Sequence, residues 1–109
     1  MIAVNKWSNK IELTRGDTAR IQIAINTDDG TYTPEEGDVV RFAMKKKHTD
    51  SAAILEKAIP INTLLLELLP EDTASLDRGS YVYDVEITLA SGEVYTFIEG
   101  AFILRGDVK

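Results

Sequence analysis

The stretch SYVYDVEITLA, residues 80–90, decides the fold of this chain. Every odd-numbered residue from Tyr81 to Leu89 is apolar or aromatic, and polar side chains occupy most of the even positions. An alternation with a period of two is typical of a β-strand that buries one face and exposes the other. We therefore predict a long strand here, with its odd-numbered side chains in the core.

The residues that follow this stretch predict a hairpin. Ser91 and Gly92 separate it from a second alternating run at residues 93–104, and Ser-Gly pairs suit tight turns. The alternation of the second run fails near Glu99 and Gly100. A two-residue turn at Ser91-Gly92 and a bulge or bend at Gly100 are the expected structures.

The same period recurs along the rest of the chain and predicts an all-β fold. Further strands are expected at residues 10–14, 18–26, 39–47, 51–58 and 61–69. Strands that are apolar on one face need a second sheet to cover that face. The predicted fold class is an immunoglobulin-like antiparallel β-sandwich of about seven strands, with at most one helical turn near residues 70–76. Residues 76–81 also fit a tyrosine corner, with the Tyr81 hydroxyl bonded to upstream backbone.

Composition and charge restrict the possible functions. The 109 residues suit a single domain, 1–109, in which residues 1–9 form a possible docking arm. The net charge of −6 comes from residues 61–109, which hold three basic and nine acidic side chains. Phosphate would be repelled there, and no apolar run is long enough to span a bilayer, so neither nucleic acid nor a membrane is an expected partner.

Candidate catalytic and metal-binding residues are few. The chain has no cysteine, and its one histidine, His48, follows three lysines, so we predict no catalytic residue and no cofactor. A calcium site at Asp28 and Asp29 with Glu35 or Glu36 is conceivable, but a hairpin turn is the simpler interpretation of Asp-Asp-Gly, and no metal is predicted. The pair Asp84 and Glu86 is better explained as a solvated outer face than as an acid/base site.

Arg-Gly-Asp occurs twice, at residues 15–17 and 105–107. This tripeptide suits the turns that flank strands, and neither copy lies in a long loop, so integrin adhesion is not expected. Both copies border the first and last predicted strands. We expect them to lie close together at one end of the sandwich.

A succession of motifs resembles small tail-associated proteins of bacteriophages and prophages, including the N-terminal domain of phage baseplate upper proteins. The motifs follow one another across residues 10–108: IELTRGDTA (11–19), GDVVRF (37–42), LELLPEDT (66–73), GSYVYDV (79–85) and GAFIL (100–104). The resemblance implies a non-enzymatic structural or assembly protein of a phage tail or baseplate that acts by protein–protein packing. It also implies the cytoplasm of the bacterial host during assembly, and then the virion.

The resemblance implies other tail or baseplate proteins as partners, and self-association into a homo-oligomer is also possible. Outward apolar side chains mark the candidate interface, which comprises Trp7, Leu65, Val82 and Tyr95. We expect Leu65, Val82 and Tyr95 to share one sheet face, while Trp7 either anchors a docking arm or covers the protein's own core. The alternative function is a ligand- or carbohydrate-binding β-sandwich for host recognition, in which Tyr32 and Tyr95 stack on sugars.

Overall fold

A computed structural model describes residues 2–5, 9–27 and 30–106. These residues form ten strands and one short helix: β1 (Ile2–Asn5), β2 (Lys10–Thr14), β3 (Ala19–Gln22), β4 (Ile25–Thr27), β5 (Gly30–Tyr32), β6 (Val39–Lys45), β7 (Leu55–Ile59), β8 (Leu65–Leu68), α1 (Pro70–Thr73), β9 (Gly79–Thr88) and β10 (Val94–Arg105). The predicted fold class is confirmed: the chain is a β-sandwich with a single helical turn. The strands are more numerous than expected, and several are shorter, whereas β2 has the predicted bounds and β10 the predicted length.

One large sheet forms the first layer of the sandwich, in the order β1-β2-β10-β9-β6-β7. Its neighbouring strands are antiparallel except for β2 and β10, which run parallel with Glu12 opposite Ile103. Both Arg-Gly-Asp segments therefore leave the sheet at the same end, and the Arg15 amide donates to the Arg105 carbonyl at 2.8 Å. The expected closeness of the two segments is confirmed for these residues.

Two strand pairs complete the fold. Strands β3 and β8 form an antiparallel pair that covers part of the large sheet, and β4 pairs with β5. The Lys57 ammonium group of β7 contacts the Asp72 carboxylate of α1 at 2.9 Å, which links the two layers at one edge. The predicted strand 18–26 is therefore two strands in different sheets, interrupted at Ile23 and Ala24.

The core follows the predicted alternation. Tyr81, Tyr83, Val85 and Ile87 of β9 are buried, as are the alternate residues Val40, Phe42 and Met44 of β6. An aromatic cluster lies at the centre, where the Phe42 ring centroid is 5.6 Å from that of Tyr83 and 6.3 Å from that of Phe102. Aromatic pairs at these separations contribute beyond their buried area.

The β9–β10 hairpin differs from the prediction in two ways. The Gly92 amide donates to the Leu89 carbonyl, and the Leu89 amide donates to the Glu93 backbone carbonyl, so the loop has three residues. Gly92, the last of them, adopts φ +96°. The register shifts between Thr96 and Ile98, which places the bulge at Phe97 rather than at Gly100. A three-residue loop with a left-handed glycine at its end is the next most common hairpin connection after the two-residue loop.

The predicted tyrosine corner and helical turn are both present. The Tyr81 hydroxyl donates to the Asp77 carbonyl. The helix α1 begins at Pro70, and the Asp72 carboxylate accepts a hydrogen bond from the Leu69 amide at 2.7 Å. Within the described residues, no helix has the length and apolar character needed to cross a bilayer.

Candidate functional site

An apolar cavity of about 460 Å³ opens between the layers, beside strand β3. Its floor is the inner face of the large sheet, and its side wall is formed by β3 and the two residues that follow it. The lining residues are Asn9, Ile11, Ile21, Gln22, Ile23, Ala24, Leu66, Tyr83, Val85 and Ile98. This volume lies within the range of roughly 300–1,000 Å³ that is usual for ligand cavities.

The layers do not overlap completely, and this mismatch creates the cavity. Strand β8 contacts β7 at one edge of the large sheet, and β3 therefore lies toward β9 and β10. The inner face of the large sheet continues past β3 through β10 to β2, where Ile98 and Ile11 form the cavity floor. The cavity lies at the end of this face near Asn9.

The chemistry of the lining favours uncharged groups. Seven of the ten lining residues are aliphatic, and none carries a formal charge. Gln22 is held at the rim because its side-chain amide donates to the Thr63 carbonyl at 2.7 Å. An apolar group that enters this cavity leaves water without displacing a charged protein group, and burial of one Leu-sized side chain contributes about 1.5–3 kcal/mol.

One wall of the cavity is fixed by a close approach of two backbone segments. The Tyr83 hydroxyl donates to the Asn9 carbonyl, and burial raises the pKa of Tyr83 to about 12. Asn9 adopts φ +56°, and its side-chain amide donates to the Glu99 carbonyl at 3.4 Å. A Cβ atom on Gly100 would lie 2.5 Å from the Asn9 oxygen. Gly100 is thus required for close approach, not for the predicted bulge.

A second, polar concavity of about 60 Å³ lies on the outer face of the large sheet, with Asp84 and Lys45 among its lining residues. The neighbouring Arg41 guanidinium contacts the Glu86 carboxylate at 2.7 Å and the Glu56 carboxylate at 3.2 Å. Asp84 and Glu86 therefore have different surroundings and do not form a paired-carboxylate site. Among the described residues, Asp84 Oδ1 is buried without a hydrogen-bond partner.

The predicted interface residues do not share one surface. Leu65 lies on the outer face of the β3–β8 pair, since its neighbour Leu66 is buried. Val82 lies on the outer face of the large sheet, on the opposite side of the sandwich. Tyr95 pairs with the inward residue Ile87, is 53% exposed at the end of the sheet, and donates its hydroxyl to the Glu93 carboxylate at 2.9 Å. The expectation of a single sheet face is therefore wrong.

The candidate docking arm is described only in part. Trp7 lies outside the described residues. Residues 2–5 of the same segment form β1, which pairs with β2 of its own chain so that Ile2 is opposite Leu13. This part of the arm belongs to the edge of the large sheet.

Tyr32 is half-buried instead of forming an exposed sugar platform with Tyr95. Its hydroxyl donates to the Asp38 carboxylate at 2.6 Å, and that carboxylate also accepts from the Glu35 amide at 2.9 Å and the Ala90 amide at 3.1 Å. The hydrogen bond between the two side chains raises the pKa of Tyr32 to about 12 and lowers the pKa of Asp38. Asp38 thus joins the loop after β5 to the β9–β10 hairpin.

The lowered pKa of Asp38 predicts an acid-sensitive contribution to stability. A carboxyl group whose pKa is lower in the folded state stabilises the fold above its unfolded pKa of about 3.9. That contribution is lost as the pH falls from there through the lowered folded-state pKa. We expect Asp38→Asn to be less stable than wild type at pH 7, with a smaller loss of stability on acidification, when urea unfolding is measured between pH 7 and pH 3. Equal slopes for the two proteins below pH 4 would contradict this role.

The remaining sequence candidates provide no built site. His48 is exposed in the turn after β6, and Asp28 and Asp29 of the conceivable calcium site lie outside the described residues. Within residues 2–5, 9–27 and 30–106, no group of His, Asp or Glu side chains is arranged to hold a metal ion. The first Arg-Gly-Asp segment is held against α1, because the Gly16 amide donates to the Thr73 hydroxyl at 2.9 Å.

Comparison with known proteins gives little beyond the fold. No protein-family model matches the chain, and no curated protein matches it either. Among solved structures, CopC from Methylosinus trichosporium OB3b aligns with 90% of this chain and 85% of its own, at 13% identity and a TM-score of 0.46. At that similarity, the likeness concerns the arrangement of strands and gives this chain no activity or ligand.

The predicted role in a phage tail or baseplate is contradicted by this comparison. One solved structure that it returns is CopC, and neither a family model nor a curated relative connects the chain with a phage structure. The motifs behind the prediction have ordinary structural roles. GDVVRF supplies Asp38 and the buried Val40 and Phe42, and GSYVYDV supplies the tyrosine corner and core. Many β-sandwiches need such residues at such spacings.

Proposed function

We propose that this domain is a non-enzymatic binding module that holds an apolar group of another molecule in the cavity beside β3. The observation that carries the proposal is the cavity itself, which is about 460 Å³ in volume and aliphatic on most of its walls. Concave, mostly apolar sites with a few polar rim groups are the usual form of binding sites in proteins. Asn9, Gln22 and Tyr83 supply the polar groups here.

Nile red, an uncharged dye whose fluorescence rises in apolar surroundings, tests the proposal. We expect the folded wild-type protein to bind it with a saturable, blue-shifted emission. Ile21 is half-buried and lines the cavity, so Ile21→Phe adds volume there and should weaken dye binding about tenfold. Near-ultraviolet circular dichroism would verify that each protein keeps its tertiary packing.

Leu65→Phe is the matched control for this experiment. Leu65 is also a half-buried aliphatic residue of the same two-stranded sheet, but its side chain lies on the outer face. Dye binding should remain within about twofold of wild type in this variant. Absence of dye binding by the folded wild type, or equal binding by Ile21→Phe and wild type, would overturn the proposal.

A further inference from the structure

Strand β3 presents an edge that has backbone hydrogen-bonding groups to offer. In the described part of the chain, β3 belongs to a sheet of two strands and pairs only with β8. Its other edge borders the opening of the cavity, because Ile21, Gln22, Ile23 and Ala24 line that opening. The apolar cavity and an unpaired strand edge therefore lie side by side.

The register shows which backbone groups this edge presents. The Ile23 amide donates to the Leu64 carbonyl at 2.9 Å, so Ile23 occupies a hydrogen-bonded position toward β8. Hydrogen-bonded and non-hydrogen-bonded positions alternate along an antiparallel pair, so Ala19 and Ile21 also point their backbone groups toward β8. The amide and carbonyl groups of Arg20 and Gln22 point to the opposite edge of β3, which borders the cavity opening from Ile21 onward.

We propose that the occupant of the cavity is an extended segment of another protein that pairs with the free edge of β3. A strand at this position would exchange hydrogen bonds with Arg20 and Gln22. Its residue opposite Ile21 would share the inward face and enter the cavity, since paired residues point to the same side of a sheet. The segment must therefore carry apolar side chains at alternate positions. This inference rests on the proposed binding function and gives its ligand a chemical class.

A second copy of the domain does not fit this edge. Antiparallel pairing of β3 with β3 of another copy would place a two-fold axis perpendicular to the joined sheet, with both large sheets on the same side. Each large sheet continues past β3 through β10, β2 and β1, and the two extensions would then occupy the same space. A single extended segment has no such extension. The bound domain should therefore hold one segment and remain monomeric with respect to its own chain.

Selection of short random peptides displayed on yeast, with the full chain as the target, tests this inference. We expect enriched peptides to alternate apolar and polar residues and to lack proline at their centre.

Arg20→Pro should weaken binding of a selected peptide at least tenfold, because proline has no amide hydrogen to donate at the free edge. The pairing of β3 with β8 should remain intact, since the Arg20 amide points away from β8. Arg20→Ala is the matched control, since it also loses the ion pair with Glu67 but keeps the amide hydrogen, and it should bind within about threefold of wild type.

N-methylation of the peptide provides a measurement that leaves the protein unchanged. A series of peptides is made in which each carries a single N-methyl group at a different residue. Binding should be lost when the methyl group is at every second residue and kept at the residues in between, because alternate residues of a strand point their amides toward the same neighbour. Equal tolerance at all positions, or equal binding by Arg20→Pro and Arg20→Ala, would overturn the strand-pairing inference. If Nile red still binds and Ile21→Phe still weakens it, the cavity is a site for a small apolar molecule and the proposed function survives. If neither Nile red nor any peptide binds, both are overturned.

Discussion

Replacement of Phe42 by alanine is expected to lower the free energy of unfolding by about 3–5 kcal/mol. Phe42 is fully buried, and its ring contacts the rings of Tyr83 and Phe102 at the centre of the large sheet. Domains of this size are stabilised by only about 5–15 kcal/mol in total, so the variant should unfold at a much lower urea concentration. Equilibrium unfolding followed by circular dichroism measures the change.

Val39→Ala is the control for this prediction, because Val39 precedes Phe42 on the same strand and is 56% exposed. Substitutions at such surface positions usually change stability by no more than about 0.5 kcal/mol. A loss of less than about 1 kcal/mol in Phe42→Ala would show that the aromatic cluster is not the centre of the core.

Gly100→Ala is expected to destabilise the domain by about 1–3 kcal/mol, although it adds a single methyl group. The new Cβ would lie 2.5 Å from the Asn9 carbonyl oxygen and 3.0 Å from a ring carbon of Tyr83. A backbone oxygen cannot move aside as a flexible side chain can, so the segment at Asn9 must shift. The hydrogen bond from the Tyr83 hydroxyl to Asn9 would be strained by that shift. Thermal and urea unfolding measure the loss.

Gly106→Ala distinguishes this steric effect from the general effect of replacing a glycine. The nearest atom to a Cβ on Gly106 is Cδ of Arg78, at 3.3 Å, which belongs to a flexible side chain. This variant should keep nearly wild-type stability. Equal losses in the two variants would mean that the contact with Asn9 does not set the cost at Gly100.

The parts of the fold that depend on local alternation were predictable. Residues 80–90 predicted the long strand β9 and its inward side chains, because burial on one face imposes a period of two wherever the backbone is regular. The tyrosine corner was predictable for a similar reason, since Tyr81 and Asp77 are only four positions apart. Both features need no information about distant residues.

The sequence could not predict which side chains of β10 face inward, because one bulge reverses the alternation. Before Phe97 the odd-numbered Tyr95 shares the inward side with Ile87, whereas after Phe97 the even-numbered Ile98 and Phe102 face inward. A bulge adds one extra residue to one of the two paired strands. Every side chain after it therefore lies on the opposite face from the one that simple alternation predicts. The sequence showed an irregularity only near Gly100. Tyr95 was therefore assigned to the wrong face.

The cavity could not be predicted from periodicity, because it arises from how far one layer extends past the other. Ile11, Ile21 and Ile98 are apolar residues of three different strands, and they line the opening together. Just after the end of β3, the Ile23 amide donates to the carbonyl of Leu64, which adopts the uncommon φ of +52° for a leucine. These are contacts between segments that are distant in sequence, and alternation within a segment carries no information about them.

The position of β10 has a consequence for the order in which the domain forms. This strand inserts between β2 and β9, and its Arg105 contacts Glu12 across 93 positions of sequence. The first and last thirds of the chain must therefore meet before the large sheet is continuous, and closing a loop of that length opposes rapid folding. A nascent chain that has not yet released β10 from the ribosome holds two separate sheet fragments with unpaired edges. At about 5–20 residues per second, this vulnerable interval lasts on the order of seconds in every round of synthesis.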